Sequence, residues 1–178
     1  MTDRSNARLR DYLRKMTLAV EQYGSDEAKM LDEGERLLAD LVGHDDWLPE
    51  AFAQPSTEGY RQYLLYCDPL ERFSVVSFVW GPGQKTPVHD HTVWGLVGMM
   101  RGAELCEEYN GVTVGSPFTS SGTHRISVAG CRAVAAPAAR RRSPMVWTNS
   151  PRAAPTRTTG CWCTTRRAAW CEPNGSTR

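Results

Sequence analysis

Residues 111–178 contain no leucine, no lysine and no aspartate, and only one acidic residue, Glu172. Residues 1–110 hold the other 19 of the 20 acidic residues and 11 of the 21 basic ones, and the ten basic residues that follow are all arginine. The N-terminus, MTDRSNARLRDYLRKM, lacks the apolar run of a secretion signal, and no stretch approaches the roughly 20 apolar residues of a membrane span. A net charge of only +1 gives no whole-chain case for a nucleic-acid or membrane partner. Without a secretion signal, the six cysteines read as reduced thiols rather than a disulfide framework. The expectation is a soluble, cytoplasmic protein with one core, for which 178 residues at 40% hydrophobic content suffice.

What is present falls into blocks. Leu9, Tyr12, Leu13, Met16, Val20 and Tyr23 recur at helical spacing, so residues 5–23 predict an amphipathic helix stopped by Gly24. A second helix follows, with Ser25 expected as its N-cap and Asp26 and Glu27 in the first turn; it buries Met30, Leu31, Leu37, Leu38 and Leu41 and ends at Gly43. His44, beyond that end, reads as a solvated loop residue. From Tyr60 the period changes to short runs rich in β-branched and aromatic residues, at 60–67, 73–80, 87–92, 93–100 and 103–109, with weaker strands at 111–115 and 124–128. Asp68-Pro69, Gly81-Pro82-Gly83 and Arg101-Gly102 punctuate them as turns. Helices followed by strands predict an α+β, mainly β fold, with N-terminal helices (1–59) capping a barrel or jelly roll (60–128). Residues 129–178 predict an irregular tail rich in arginine, alanine and proline. Either the tail is disordered, or the reading frame shifts after codon 109 in a GC-rich gene. The frame shift is favoured because acidic and aliphatic content collapses at one point.

The chemistry concentrates in WGPGQKTPVHDHTVWGLVGMMRG, residues 80–102. On a strand His89 and His91 project from one face, about 6 to 7 Å apart, and can chelate one metal ion, while Asp90 points away. Alternatively the pair are ordinary strand histidines in a polar wall. Gly83, His89, His91, Gly95 and Gly102 have the spacing G-x5-H-x-H-x3-E-x6-G of the first cupin motif, with Gly95 in place of the glutamate. With RFSVVSFVWGPGQKTPVHDHT, this resembles the cysteine dioxygenase family of thiol dioxygenases, whose iron is held by three histidines and no acid. The segment YRQYLLYCDPLERFSVVSF is more similar to the bacterial 3-mercaptopropionate dioxygenase branch.

The resemblance implies a cupin double-stranded β-helix, incomplete after about residue 110, and an Fe(II) centre with His89 and His91 as ligands. It implies that both atoms of O2 enter the sulfur of a small thiol carboxylate, giving a sulfinate. A third ligand is implied in a segment similar to G-D-I/V-H-R-V-S, where SGTHRIS offers His124, 33 residues after His91. A chance match of His124 in a shifted frame stands beside that reading. The substrate carboxylate would be anchored by Gln62 or Arg61, of which only one can enter the pocket because neighbours on a strand face opposite ways. Arg61 otherwise reads as a solvated strand residue. The family's late S-x-H-x-Y element is missing, since no tyrosine follows Tyr109 and no histidine follows His124. The alternative is therefore a catalytically inactive or truncated metal-binding cupin. An arginine-rich nucleic-acid-associated protein is a third, remoter reading. The partners expected are a small thiol and O2, with no nucleic acid and no membrane. Cys67 and Cys106 read as small core residues.

Overall fold

The N-terminal third folds as two helices because its apolar residues repeat every three to four positions. In the computed structural model, which describes residues 5–86, 94–109, 120–127, 131–134, 145–148 and 158–164, α1 is Ser5–Tyr23 and α2 is Glu27–Val42. Tyr12, Met16, Ala19 and Val20 of α1 pack on Met30, Leu37, Leu38, Leu41 and Val42 of α2. The N-cap is Asp26 and not the expected Ser25. Its extended backbone lets the carboxylate accept from the Lys29 amide at 3.2 Å. Gly43 closes α2, donating its amide to the Ala39 carbonyl at 3.0 Å. Trp47 then folds back, its indole Nε1 donating to the Leu41 carbonyl at 2.9 Å. His44 is exposed, and its neighbours Asp45 and Asp46 are held by Arg101 and Arg8 at 2.7 and 2.8 Å. No helix among the described residues is long and apolar enough to cross a membrane.

Among the described residues eight strands follow: β1 (Arg61–Cys67), β2 (Ser74–Trp80), β3 (Gly95–Arg101), β4 (Ala103–Tyr109), β5 (Ser120–Ser127), β6 (Cys131–Val134), β7 (Met145–Thr148) and β8 (Thr158–Thr164). They form two antiparallel sheets, ordered β1-β2-β8-β3-β6 and β5-β4-β7. The expected strands at 60–67, 73–80, 93–100 and 103–109 appear within two residues of their predicted bounds. Strand 124–128 begins earlier, at Ser120, while 87–92 and 111–115 lie outside the described residues. Within 129–178, where an irregular tail is expected, the described residues include the strands β6, β7 and β8. TTGCWCT has the β-branched and aromatic content of a strand, but its seven residues are held by neighbours about 60 or more positions away, which no local pattern reveals. Cys67 is exposed on β1, an edge strand, against the expectation of a core residue; Cys106 is fully buried.

The helical layer lies on the larger sheet through α2 and β3. A Cβ at Gly34 would come within 2.5 Å of Leu96 Cδ1, and one at Gly98 within 2.9 Å of both Leu38 Cγ and Val42 Cγ1. Each layer therefore carries a glycine notch for the other's side chains. Phe73, Val75, Trp94, Leu96 and Met100 complete the core beneath the helices. Between β1 and β2 the chain reverses around Asp68. Its buried carboxylate accepts from the amides of Leu70 and Arg72 and from both arms of the Arg72 guanidinium at 2.8 and 2.9 Å.

Two outcomes follow from this packing. Replacing Gly98 with alanine pushes against branched carbons, and should lower stability to urea by about 1–3 kcal/mol; an unchanged midpoint would show that the layers slide apart freely. The Arg72 guanidinium, beside Asp68, lowers the Asp68 pKa from 3.8 to about 2. The resulting stability, on the order of 2 kcal/mol, is fully present above pH 3.8 and is lost as the pH falls toward about 2. Asp68→Asn should therefore begin acid unfolding, followed by circular dichroism, at higher pH than the wild type.

Candidate metal centre

The turn that leads into the histidine segment is built by proline and glycine. Pro82 and Gly83 occupy the middle of the Gly81–Gln84 turn, Gly83 has φ +76°, and the Gln84 amide closes the turn on the Gly81 carbonyl at 3.2 Å. Proline followed by a positive-φ glycine is the pattern of a type II turn, and a side chain at Gly83 would strain it. Gln84 also anchors the turn: its Oε1 accepts from the Gly81 amide at 2.7 Å, and its Nε2 donates to the Ser56 carbonyl at 2.7 Å. Gly102, the last glycine of the motif, has φ +77° and turns β3 into β4. Both glycines that frame the motif thus serve backbone turns. His89, Asp90 and His91 lie outside the described residues. Gly95, where the motif has its acid, opens β3 opposite Thr164 and Val134.

The sheet has one face under the helices and one turned away from them. Val75 lies in the helical core, and Ser77 Oγ donates to the Phe52 carbonyl at 3.0 Å; Val79 alternates with them on that same face. Phe78 and Trp80 point the other way, as do Val97 and Met99 on β3, because Leu96 and Gly98 meet α2. Val97 and Met99 are almost wholly buried, so this second face is covered too. The sheet β5-β4-β7 is the described element available to cover it, and β3 also touches β5. Between the two sheets lies the interior.

Ladder register then separates the two candidate anchors. Gln62 stands opposite Phe78, which stands opposite Gly160, which stands opposite Met99, so Gln62 lies on the interior face. Arg61 stands opposite Val79, on the helical face. Both side chains are exposed at the edge of the sheet. Near Gln62 a stack of aromatic rings lines the interior: Tyr60 on Trp80 at 6.1 Å and Phe78 on Trp80 at 5.3 Å between centroids. The buried Trp80 Nε1 meets no hydrogen-bond partner among the described residues.

On the facing sheet the inward positions of β4 are Glu104 and Cys106, 2% and 0% exposed. Cys106 stands opposite His124 of β5 and Trp147 of β7, and Glu104 stands opposite Ile126. Neither oxygen of Glu104 has a hydrogen-bond partner among the described residues, and burial pushes its pKa up from 4.5 to about 8. Sequence reasoning missed this group, because an acid in AELCEEY reads as surface. The usable signal was the two-residue period, which puts Glu104 on the same face as a core cysteine. No group of three or more histidine, cysteine, aspartate or glutamate side chains converges among the described residues. A carboxyl with two orphaned, buried oxygens nevertheless fits a cation. A charged group out of water is stable only when paired or coordinated.

No protein-family model matches the chain. Among solved structures it is similar to the protein TT1209 of Thermus thermophilus (TM-score 0.50, 14% identity, 66% of this chain and 93% of that one). It is also similar to a sugar phosphate isomerase of the cupin superfamily from Silicibacter pomeroyi (TM-score 0.45, 18% identity, 62% and 61%). A third is a cupin superfamily protein from Desulfitobacterium hafniense (TM-score 0.46, 11% identity, 70% and 94%). At these identities the likeness is one of fold.

The raised pKa of Glu104 makes stability depend on pH in a stated direction. Below its unfolded value of 4.5 the group is neutral in both states and its contribution is intact; that contribution is lost as the pH rises through about 8. Glu104→Gln should flatten this slope in urea titrations run at several pH values. An identical slope in the variant would mean that the carboxyl is paired.

Proposed function

We propose that the protein is a mononuclear iron thiol dioxygenase of cupin type, acting on 3-mercaptopropionate in preference to cysteine. The observation that carries the reading is the motif from Gly83 to Gly102: two histidines at i and i+2, framed by glycines that each sit at positive φ. His89 and His91 would hold the metal, with His124 as the third imidazole and glycine at position 95 in place of an acid. Three neutral imidazoles would leave a bound ion its full charge, which favours a thiolate, and iron would supply the redox chemistry. The overall conversion balances as R–SH + O2 → R–SO2H, with sulfur oxidised and both oxygen atoms retained.

The chain's own residues do the positioning. On the interior face, the Gln62 amide can donate to the substrate carboxylate and fix the direction of the thiol, which is worth rate through proximity. Tyr60, Phe78 and Trp80 form an apolar wall beside it that keeps water from the sulfur. Arg61, on the opposite face, is the lesser candidate for the anchor.

A second reading has its own support. The absence of a tyrosine after Tyr109 and of a histidine after His124 favours a metal-binding cupin without turnover. Oxygen-electrode assays on Fe(II)-loaded protein separate the two. The dioxygenase should consume one O2 per thiol with 3-mercaptopropionate, and His89→Ala or His91→Ala should remove the activity. Gln62→Ala should raise KM at least tenfold, and Arg61→Ala should leave it near the wild-type value. Iron retained with no O2 uptake on either thiol would leave the non-catalytic cupin as the reading.

A further inference from the structure

We propose that the Trp80 indole N–H is a second anchor for the substrate carboxylate, donating beside the Gln62 amide from deeper in the interior. The inference rests on the proposed function, from which it takes a thiol carboxylate as substrate, and it adds a binding residue to that site. Trp80 is 5% exposed, and its Nε1, an atom that donates and cannot accept, meets no partner among the described residues. Trp47 shows the ordinary arrangement for such a group: it is 1% exposed, and its Nε1 donates to the Leu41 carbonyl at 2.9 Å. A buried donor left unpaired is unfavourable, and a ligand that accepts from it removes the penalty.

The ladder places this donor beside Gln62. Gln62 stands opposite Phe78, and Trp80 follows Phe78 by two residues on the same face of β2. Gln62 and Trp80 are thus diagonal neighbours, about 7–8 Å apart at the backbone. A carboxylate that accepts one hydrogen bond of about 2.9 Å from each side chain bridges that interval. Phe78 and Trp80 stack at 5.3 Å between centroids with 14° between their planes, and Tyr60 stacks on Trp80 at 6.1 Å. These contacts engage ring faces, whereas the N–H lies at the ring edge. An indole with an apolar face and a polar edge suits a ligand that has a carboxylate at one end and a carbon chain behind it. The backbone is fixed on both sides: Trp80 ends β2 opposite Thr158, and the next residue, Gly81, donates its amide to Gln84 Oε1 at 2.7 Å. Both anchors are neutral, so they recognise the carboxylate by hydrogen-bond geometry. They discriminate against a thiol lacking the carboxylate, because the buried indole donor then stays unpaired.

Two measurements on the full chain test the assignment. In steady-state assays of the Fe(II)-loaded protein, Trp80→Phe should raise KM for 3-mercaptopropionate about tenfold while leaving kcat nearly unchanged. Its preference for 3-mercaptopropionate over ethanethiol, which lacks the carboxylate, should fall by a similar factor. A merely structural ring would instead depress both thiols alike, and that result overturns the proposal. Should Trp80→Phe fail to fold, benzothienylalanine in place of Trp80 keeps the bicyclic ring and removes only the N–H; a wild-type KM in that protein overturns the proposal. The second measurement needs no turnover. With tryptophan Nε1 labelled by nitrogen-15 and Zn(II) added as a diamagnetic ion, 3-mercaptopropionate should move the Trp80 indole resonance downfield to saturation, and ethanethiol should not. An unmoved resonance in a protein that turns the thiol over with Fe(II) overturns the role of Trp80 and leaves the dioxygenase standing. A moved resonance without O2 uptake keeps Trp80 as a carboxylate anchor and removes the dioxygenase. Neither shift nor turnover overturns both.

Discussion

Everything above the larger sheet depends on how closely α2 approaches β3. Leu96 fills the notch at Gly34, while Leu38 and Val42 fill the notch at Gly98, so helix and strand interlock without room for a Cβ on either glycine. Interiors are packed to crystal-like density, and a gap or clash of one methyl is felt throughout such a contact. This interlock orients β3 as well as burying apolar surface. With Leu96 and Gly98 committed to the helix, Val97 and Met99 must face the other way. The interior of the double sheet is thus defined from outside, by the helices.

That constraint propagates along the hydrogen-bonded rows. Met99, Gly160, Phe78 and Gln62 stand in one line across four strands, and the polarity of the interior changes along it from thioether to aromatic ring to amide. The opposite wall contributes a carboxyl and a thiol from β4. An interior with apolar breadth and a few polar groups at its edges is the arrangement expected of a small-molecule site.

The legible parts of this fold were those whose signal is local. Both helices, the Gly43 stop and the first four described strands follow from the spacing of apolar residues in short windows, and the Gly81–Gln84 turn follows from Pro82-Gly83. The helix start at Asp26 was misplaced by one residue because serine and aspartate both cap, and only the backbone geometry chooses between them. Strands β6, β7 and β8 escaped because their partners are distant in sequence and because they are runs of four to seven residues set in a stretch rich in arginine, alanine and proline. At the site, the two-residue period separated Gln62 from Arg61 but not inside from outside, since that requires knowing which face the helices cover. Glu104 was hidden by Glu107 and Glu108 beside it, which make the run look solvated.

The sheet order carries a consequence for how the chain acquires its shape. Strand β8, residues 158–164, lies between β2 and β3, yet both of those strands are complete by residue 101. The helices and the β1–β2 hairpin use neighbouring residues and can assemble as soon as they leave the ribosome. Facing edges of β2 and β3 must then wait, unpaired, for more than fifty residues to follow. Long-range pairing of this kind slows folding, and open edges invite pairing with other chains in the interval. The helical layer, already docked on β3 through Gly34 and Gly98, holds one side of that gap in place until β8 enters it.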